Sequence, residues 1–106
     1  MIELTKENFE EEVLNSEGIV MVDYWSDNCD LCLELMPDVE KLAEEYADDV
    51  KFAKLNIKGN RRLAIGQKVL GLPAILIYVD GEKKEHLSGE DLEPEDIEEV
   101  LEKYYE

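Results

Sequence analysis

Apolar and polar residues follow two rhythms along this chain, and each change of rhythm marks an element. Ile2 to Leu4 alternates briefly, and Thr5 then offers a side-chain oxygen to cap a helix reaching about Leu14. Phe9, Val13 and Leu14 fall at helical spacing in that segment, with Glu10, Glu11 and Glu12 as its polar side. Gly18 opens the run Ile19-Val20-Met21-Val22-Asp23-Tyr24-Trp25, apolar on both faces as a central strand covered on both sides must be, with Asp23 as the one interruption. After Ser26-Asp27-Asn28 a helix is predicted from near Cys29 to about Ala47, turning Leu35, Val39, Leu42 and Tyr46 inward. Pro37 falls inside it, which removes one backbone donor and predicts a kink.

Val50 to Ile57 alternates with period two and reads as a strand, and Asn60 is placed to cap a short helix from Arg61 to about Lys68. Ala74 to Val79 is a further apolar strand, which Asp80-Gly81 turns back into Glu82 to Ser88 as a hairpin. Pro94 suits the first turn of a terminal helix with Ile97, Val100 and Leu101 on one face. The order β-α-β-α-β-α-β-β-α predicts an α/β fold, a mixed sheet of five strands with helices on both faces. One domain over residues 1–106 is expected, since a chain of 106 residues has room for one core.

Composition changes the picture in two ways. With 11 Lys and Arg against 28 Asp and Glu, the net charge is −17, which argues against nucleic acid or an anionic membrane as partner, because binding there depends on releasing counterions with cations. Most of these carboxylates are expected to be solvated surface. At the same time 44% of residues are hydrophobic, enough apolar surface for a folded core. No apolar run approaches the roughly 20 residues of a membrane helix. The N-terminal stretch lacks the basic start and apolar core of a secretory signal, so a cytoplasmic location is expected.

Candidate chemistry lies in the only two cysteines, Cys29 and Cys32. Residues three apart at the start of a helix are close enough for a disulfide, whose Cα atoms stand about 4.4 to 6.8 Å apart. The unpaired donors and dipole of a helix N-terminus favour an anion, so Cys29 is the expected nucleophile and Cys32, one turn inside, the more buried resolving thiol. Three plainer readings stand beside this one. A structural disulfide would close so short a loop that it adds only about 2 kcal/mol. Zinc would need four ligands, and His86, the one histidine, lies far off in the hairpin and reads as a surface residue. Chance spacing is the third.

The surroundings of the pair decide among them. Asp23-Tyr24-Trp25-Ser26-Asp27-Asn28-Cys29-Asp30-Leu31-Cys32, with Pro37 after it and Gly71-Leu72-Pro73 further along, resembles the thioredoxin family. The likeness extends over nearly the whole chain, including Lys54-Leu55-Asn56-Ile57, the Asp80-Gly81 turn and Gly89. It implies a thioredoxin fold with the dithiol at the tip of a central strand, the Lys54 strand lying beside the Asp23 strand. The implied activity is thiol-disulfide exchange, reduction of disulfides in protein substrates by a monomer without bound cofactor, its redox group being the Cys29–Cys32 pair. The other reading of the chain is a non-catalytic binding module whose acidic surface recruits a basic partner. No Gly-x-Gly-x-x-Gly dinucleotide motif is present, so a separate reductase must supply the electrons.

Roles follow from the resemblance residue by residue. Cys29 corresponds to the attacking cysteine and Cys32 to the resolving one. Asp23 corresponds to a buried acid that assists proton transfer, and desolvation alone would raise its pKa; a strand-end Asp bonded to a loop is the plainer alternative. Lys54 corresponds to that acid's partner, or else is an outward surface lysine. Trp25 corresponds to the tryptophan beside the site, or is a core aromatic. Pro73 corresponds to a cis proline that leaves the backbone at Leu72 free to pair with an extended substrate segment, with Gly71 and Gly89 permitting its approach. The chain departs from the usual Trp-Cys-Gly-Pro-Cys in carrying Asn28 before Cys29 and Asp30-Leu31 between the cysteines, and Ala74 stands where Thr is common.

Overall fold

A computed structural model describes residues 1–104. Five strands, β1 (Ile2–Leu4), β2 (Ile19–Trp25), β3 (Val50–Asn56), β4 (Ala74–Val79) and β5 (Glu82–Ser88), form one sheet in the order β1-β3-β2-β4-β5. β3 runs parallel to both β1 and β2, whereas β4 is antiparallel to β2 and β5. Three α-helices, α1 (Asp30–Glu45), α2 (Arg61–Gly66) and α3 (Pro94–Tyr104), and a π-helical turn at Glu10–Leu14 cover the sheet.

Alternation along the strands divides the core in two. Val20, Val22 and Tyr24 of β2 pack with Leu55, Leu76 and Tyr78, and with Phe9, Val13, Ala64 and Val69 from the π-turn and the α2 region. Met21 points the other way, into a cluster with Phe52, Ile75 and Ile77 closed by Leu35, Val39 and Leu42 of α1 and Ile97 and Leu101 of α3. Tyr46 at the end of α1 donates to Glu98 Oε2 of α3 at 3.0 Å and ties the two helices together. By the same alternation, Asp23 and Trp25 belong to the α1/α3 side of β2.

The boundaries expected for β1, β2, β4 and β5 and the start of α3 match the observed ones, and three local expectations need correction. The Thr5–Leu14 segment is not one α-helix. Thr5 and Asn8 cap each other's turn, with Glu7 N–H donating to Thr5 Oγ1 at 3.2 Å and Thr5 N–H to Asn8 Oδ1 at 2.7 Å, and the following turn closes from Asn15 N–H to Glu10 C=O at 2.8 Å. That wide turn buries Phe9 and Val13 but leaves Leu14 exposed. Asn60 does not cap α2 with its side chain. Its Oδ1 accepts from Lys6 N–H at 3.1 Å and its Nδ2 donates to Asn56 C=O at 2.9 Å, stitching the loop after β1 to the end of β3. Finally, β3 stops at Asn56, α1 at Glu45 and α2 at Gly66, each one or two residues short of the expected end. α1 runs through Pro37, whose missing N–H leaves Leu33 C=O without its helical donor.

The β4–β5 turn shows why Asp-Gly stands there. Asp80 and Gly81 both have positive φ, 52° and 85°, as a tight hairpin turn requires. A Cβ at residue 81 would also collide with the Leu14 carbonyl, so glycine is needed twice over.

Candidate active site

The β2 strand delivers the site. It ends at Trp25, a short loop follows, and Cys29 becomes the N-cap residue of α1. Cys29 Sγ accepts a hydrogen bond from Cys32 N–H at 3.1 Å, the donor that a capping side chain satisfies at a helix start. The two cysteines form a disulfide with Cα atoms 5.2 Å apart. Cys32 is 1% exposed, whereas Cys29 is half-buried, the division of access expected from their places in the first turn.

Asp23 lies two residues before Trp25, 1% exposed, the one buried charged residue in the core among those described. In the parallel β2–β3 register it stands beside Lys54, and across β2–β4 beside Ile75. Burial raises its pKa from the usual carboxylate range to about 7, and the Lys54 charge pulls it part of the way back. Burying Met21 and Ile75 stabilises by about 1.5–3 kcal/mol each, which offsets the cost of one carboxyl placed on the same face. Lys54 Nζ lies 6.0 Å from the centroid of the Trp25 ring, at the outer reach of a cation–π contact. Asp23 Oδ2 and Trp25 Nε1 are buried and have no hydrogen-bond partner among the described residues.

Pro73 follows a cis peptide bond from Leu72 and is buried, sharing a groove with Leu31, the second residue between the cysteines. Gly89 N–H donates to Pro73 C=O at 3.3 Å, which holds the loop after β5 against the proline. Gly89 has φ +116° and open space where a Cβ would stand; Gly71 also has open space and is exposed. Leu72 is half-buried. The residues singled out in the sequence thus fall on β2 and β3, the start of α1, and the two loops flanking β4 and β5. His86 is exposed on β5, away from this group.

The chain matches the thioredoxin family model over residues 1–103. It belongs to the thioredoxin family. Two thioredoxins, from Acetoanaerobium sticklandii and Peptoclostridium acidaminophilum, are each 47% identical over 104 residues, covering 98% of this chain and 99% and 94% of those proteins. The solved structure of a mutant thioredoxin from Halobacterium salinarum NRC-1 superposes with a TM-score of 0.88 at 28% identity, covering 99% of this chain and 90% of that one. Family membership and the Cys29–Cys32 disulfide together make the chain a thiol-disulfide oxidoreductase, a disulfide reductase with a redox-active Cys-x-x-Cys pair. Membership also implies protein disulfides as substrates and a reductase as partner. Among the described residues no helix is long and apolar enough to cross a membrane.

Two further features of the structure are not among those singled out from the sequence. One is a buried polar chain in which Tyr24 donates to Tyr78 Oη at 2.9 Å and Tyr78 donates to Gln67 Oε1 at 2.7 Å; burial pushes the Tyr78 hydroxyl up to about 12. A Tyr in each of two mainly apolar strands is its signal. The other is an apolar groove beside Leu72 that includes Arg61, Ile65 and Leu70.

Proposed function

We propose that the chain reduces protein disulfides by a two-step exchange in which Cys29 attacks and Cys32 resolves. In the dithiol form, the Cys29 thiolate attacks one sulfur of a substrate disulfide; that S–S bond breaks, its other sulfur leaves as a thiolate that takes up a proton, and a mixed disulfide forms. Cys32 then loses its proton and attacks Cys29 Sγ, releasing the second substrate sulfur and closing Cys29–Cys32. The substrate gains two electrons and two protons, and the chain becomes the disulfide seen here. A separate reductase returns both, with no bound cofactor on this chain, which acts as a cytoplasmic monomer.

The observation that carries this reading is the unequal burial of the two cysteines at the start of α1, with Cys29 Sγ as the cap acceptor. The Cys32 N–H and the helix N-terminus that hold Cys29 Sγ favour its thiolate. Asp23 serves as proton acceptor for Cys32, since a carboxyl near pKa 7 gives and takes a proton with little driving force at neutral pH. Lys54 tunes that carboxyl. Trp25 and Pro73 wall the site, and the Leu72 backbone, between open Gly71 and Pro73 and across from Gly89, receives an extended substrate segment. Equilibrating the protein with graded dithiothreitol redox buffers tests the reading: a single two-electron transition of Cys29–Cys32 supports it, and a pair that remains disulfide throughout contradicts it.

A further inference from the structure

The charges of this chain are segregated. Between Val50 and Val79 there is no Asp or Glu, yet that stretch holds Lys51, Lys54, Lys58, Arg61, Arg62 and Lys68, six of the eleven cations in a chain of net charge −17. Lys51 is paired with Glu12 at 2.9 Å. Both arginines of the chain sit in the first turn of α2, exposed, with no ion pair to any described residue. Arg61 lines a groove of about 220 Å³ whose other walls include Ile57, Ile65, Leu70 and Leu72, and Arg62 flanks the adjoining hollow. Leu70 is 84% exposed and Ile65 60%, so the groove offers apolar contact as well as positive charge. On the far side of Pro73 the opposite holds, for the groove there is rimmed by Glu34, Asp38, Glu90 and Glu93.

We propose that the α2 groove, next to Leu72, is the docking surface for the partner's disulfide-bearing segment, and that it selects segments in which carboxylates flank an apolar side chain. This rests on the disulfide-reductase reading and adds which substrates are preferred. The apolar residue seats against Leu70 and Ile65 while the carboxylates meet Arg61 and Arg62. The cis proline loop then divides a cationic subsite from an anionic one and gives the bound segment a direction. A protein of this net charge attracts cationic substrates at long range, so a preference for acidic ones can arise only from contacts within a Debye length, about 8 Å at physiological salt.

The test uses the reduced full chain in single turnover at physiological ionic strength. The probes are peptides with one cysteine in disulfide to a thiopyridyl chromophore, carrying Glu-Leu-Glu or Lys-Leu-Lys on one side of it, each side in turn. For one of the two sides, the Glu peptide should react about five- to tenfold faster than its Lys counterpart. Arg61→Glu with Arg62→Glu should reverse that ratio, and Leu70→Ser should slow the Glu peptide more than the Lys one. The arginine changes place acids at a helix N-terminus and are not expected to unfold the chain. Equal rates for both peptides on both sides, a faster Lys peptide on both, or a ratio unmoved by the arginine changes overturns the docking inference and leaves the reductase reading intact. Failure to react with any peptide overturns both.

Discussion

Asp23 and Lys54 occupy matching positions on two parallel strands, so the one buried carboxyl among the described residues has a lysine as its strand neighbour. Desolvation nevertheless outweighs that charge and leaves Asp23 with a pKa of about 7. A folded-state pKa above the unfolded value means the folded chain holds the proton longer as pH rises. Stability from this group is therefore full below about pH 4 and declines until about pH 7, by about 4 kcal/mol for a shift of this size. Asp23→Asn should abolish that decline, so the variant should be more stable than the parent at pH 8 and similar at pH 4, as chemical denaturation at both pH values would show. Turnover should fall in the same variant, because the proton acceptor is gone. Lower stability at pH 8 with undiminished turnover would contradict both roles.

The two cysteines should separate in function. Cys29→Ser should eliminate disulfide reduction, whereas Cys32→Ser should still attack and accumulate mixed disulfides through Cys29, visible by mass spectrometry of substrate mixtures. Trapping through Cys32 in the Cys29→Ser protein would reverse the assignment.

Asp27 and Asp30 flank Cys29 and are exposed. A like charge opposes the thiolate by about 1 kcal/mol at 4 Å in water, comparable with the roughly 0.3–1 kcal/mol that the helix end supplies. Asp30→Asn should therefore lower the Cys29 pKa and, by stabilising the reduced form, make the couple less reducing. Thiolate absorbance titration of both reduced proteins checks the first part; an equal or higher pKa in the variant would contradict it.

Away from the site, Tyr78→Phe should strand the Tyr24 hydroxyl and Gln67 Oε1 in a buried region and cost about 1–3 kcal/mol in denaturant unfolding. Disulfide reduction at a temperature where the fold persists should be unaffected, because the Tyr24–Tyr78–Gln67 chain lies on the sheet face opposite Asp23. A loss of turnover without loss of stability would give the chain a functional role.

How much of this is legible in the sequence depends on whether local chemistry or distant contacts fix a feature. β2, β4 and the Asp80–Gly81 turn can be read residue by residue, because apolar runs and an Asp-Gly turn are written locally. That Lys54 stands beside Asp23 can be read only through family resemblance, since nothing local brings β3 and β4 to the two sides of β2. The Thr5–Leu14 segment reads as an ordinary helix because helical spacing does not distinguish an α-turn from the wider π-turn that buries Phe9 and Val13 while leaving Leu14 exposed. Asn60 reads as a cap because its actual partners, Lys6 and Asn56, belong to different strand ends, one of them far away in sequence.

Transfer of two electrons from Cys29 and Cys32 to a protein disulfide can be measured directly. Reduced chain, freed of small thiols, should be mixed with one equivalent of a protein carrying a single accessible disulfide, quenched, and both proteins alkylated and weighed. Each chain converted to the Cys29–Cys32 disulfide should leave two alkylated cysteines on the substrate and none on itself. Substrate that stays fully oxidised while Cys29 and Cys32 both remain alkylatable would contradict it.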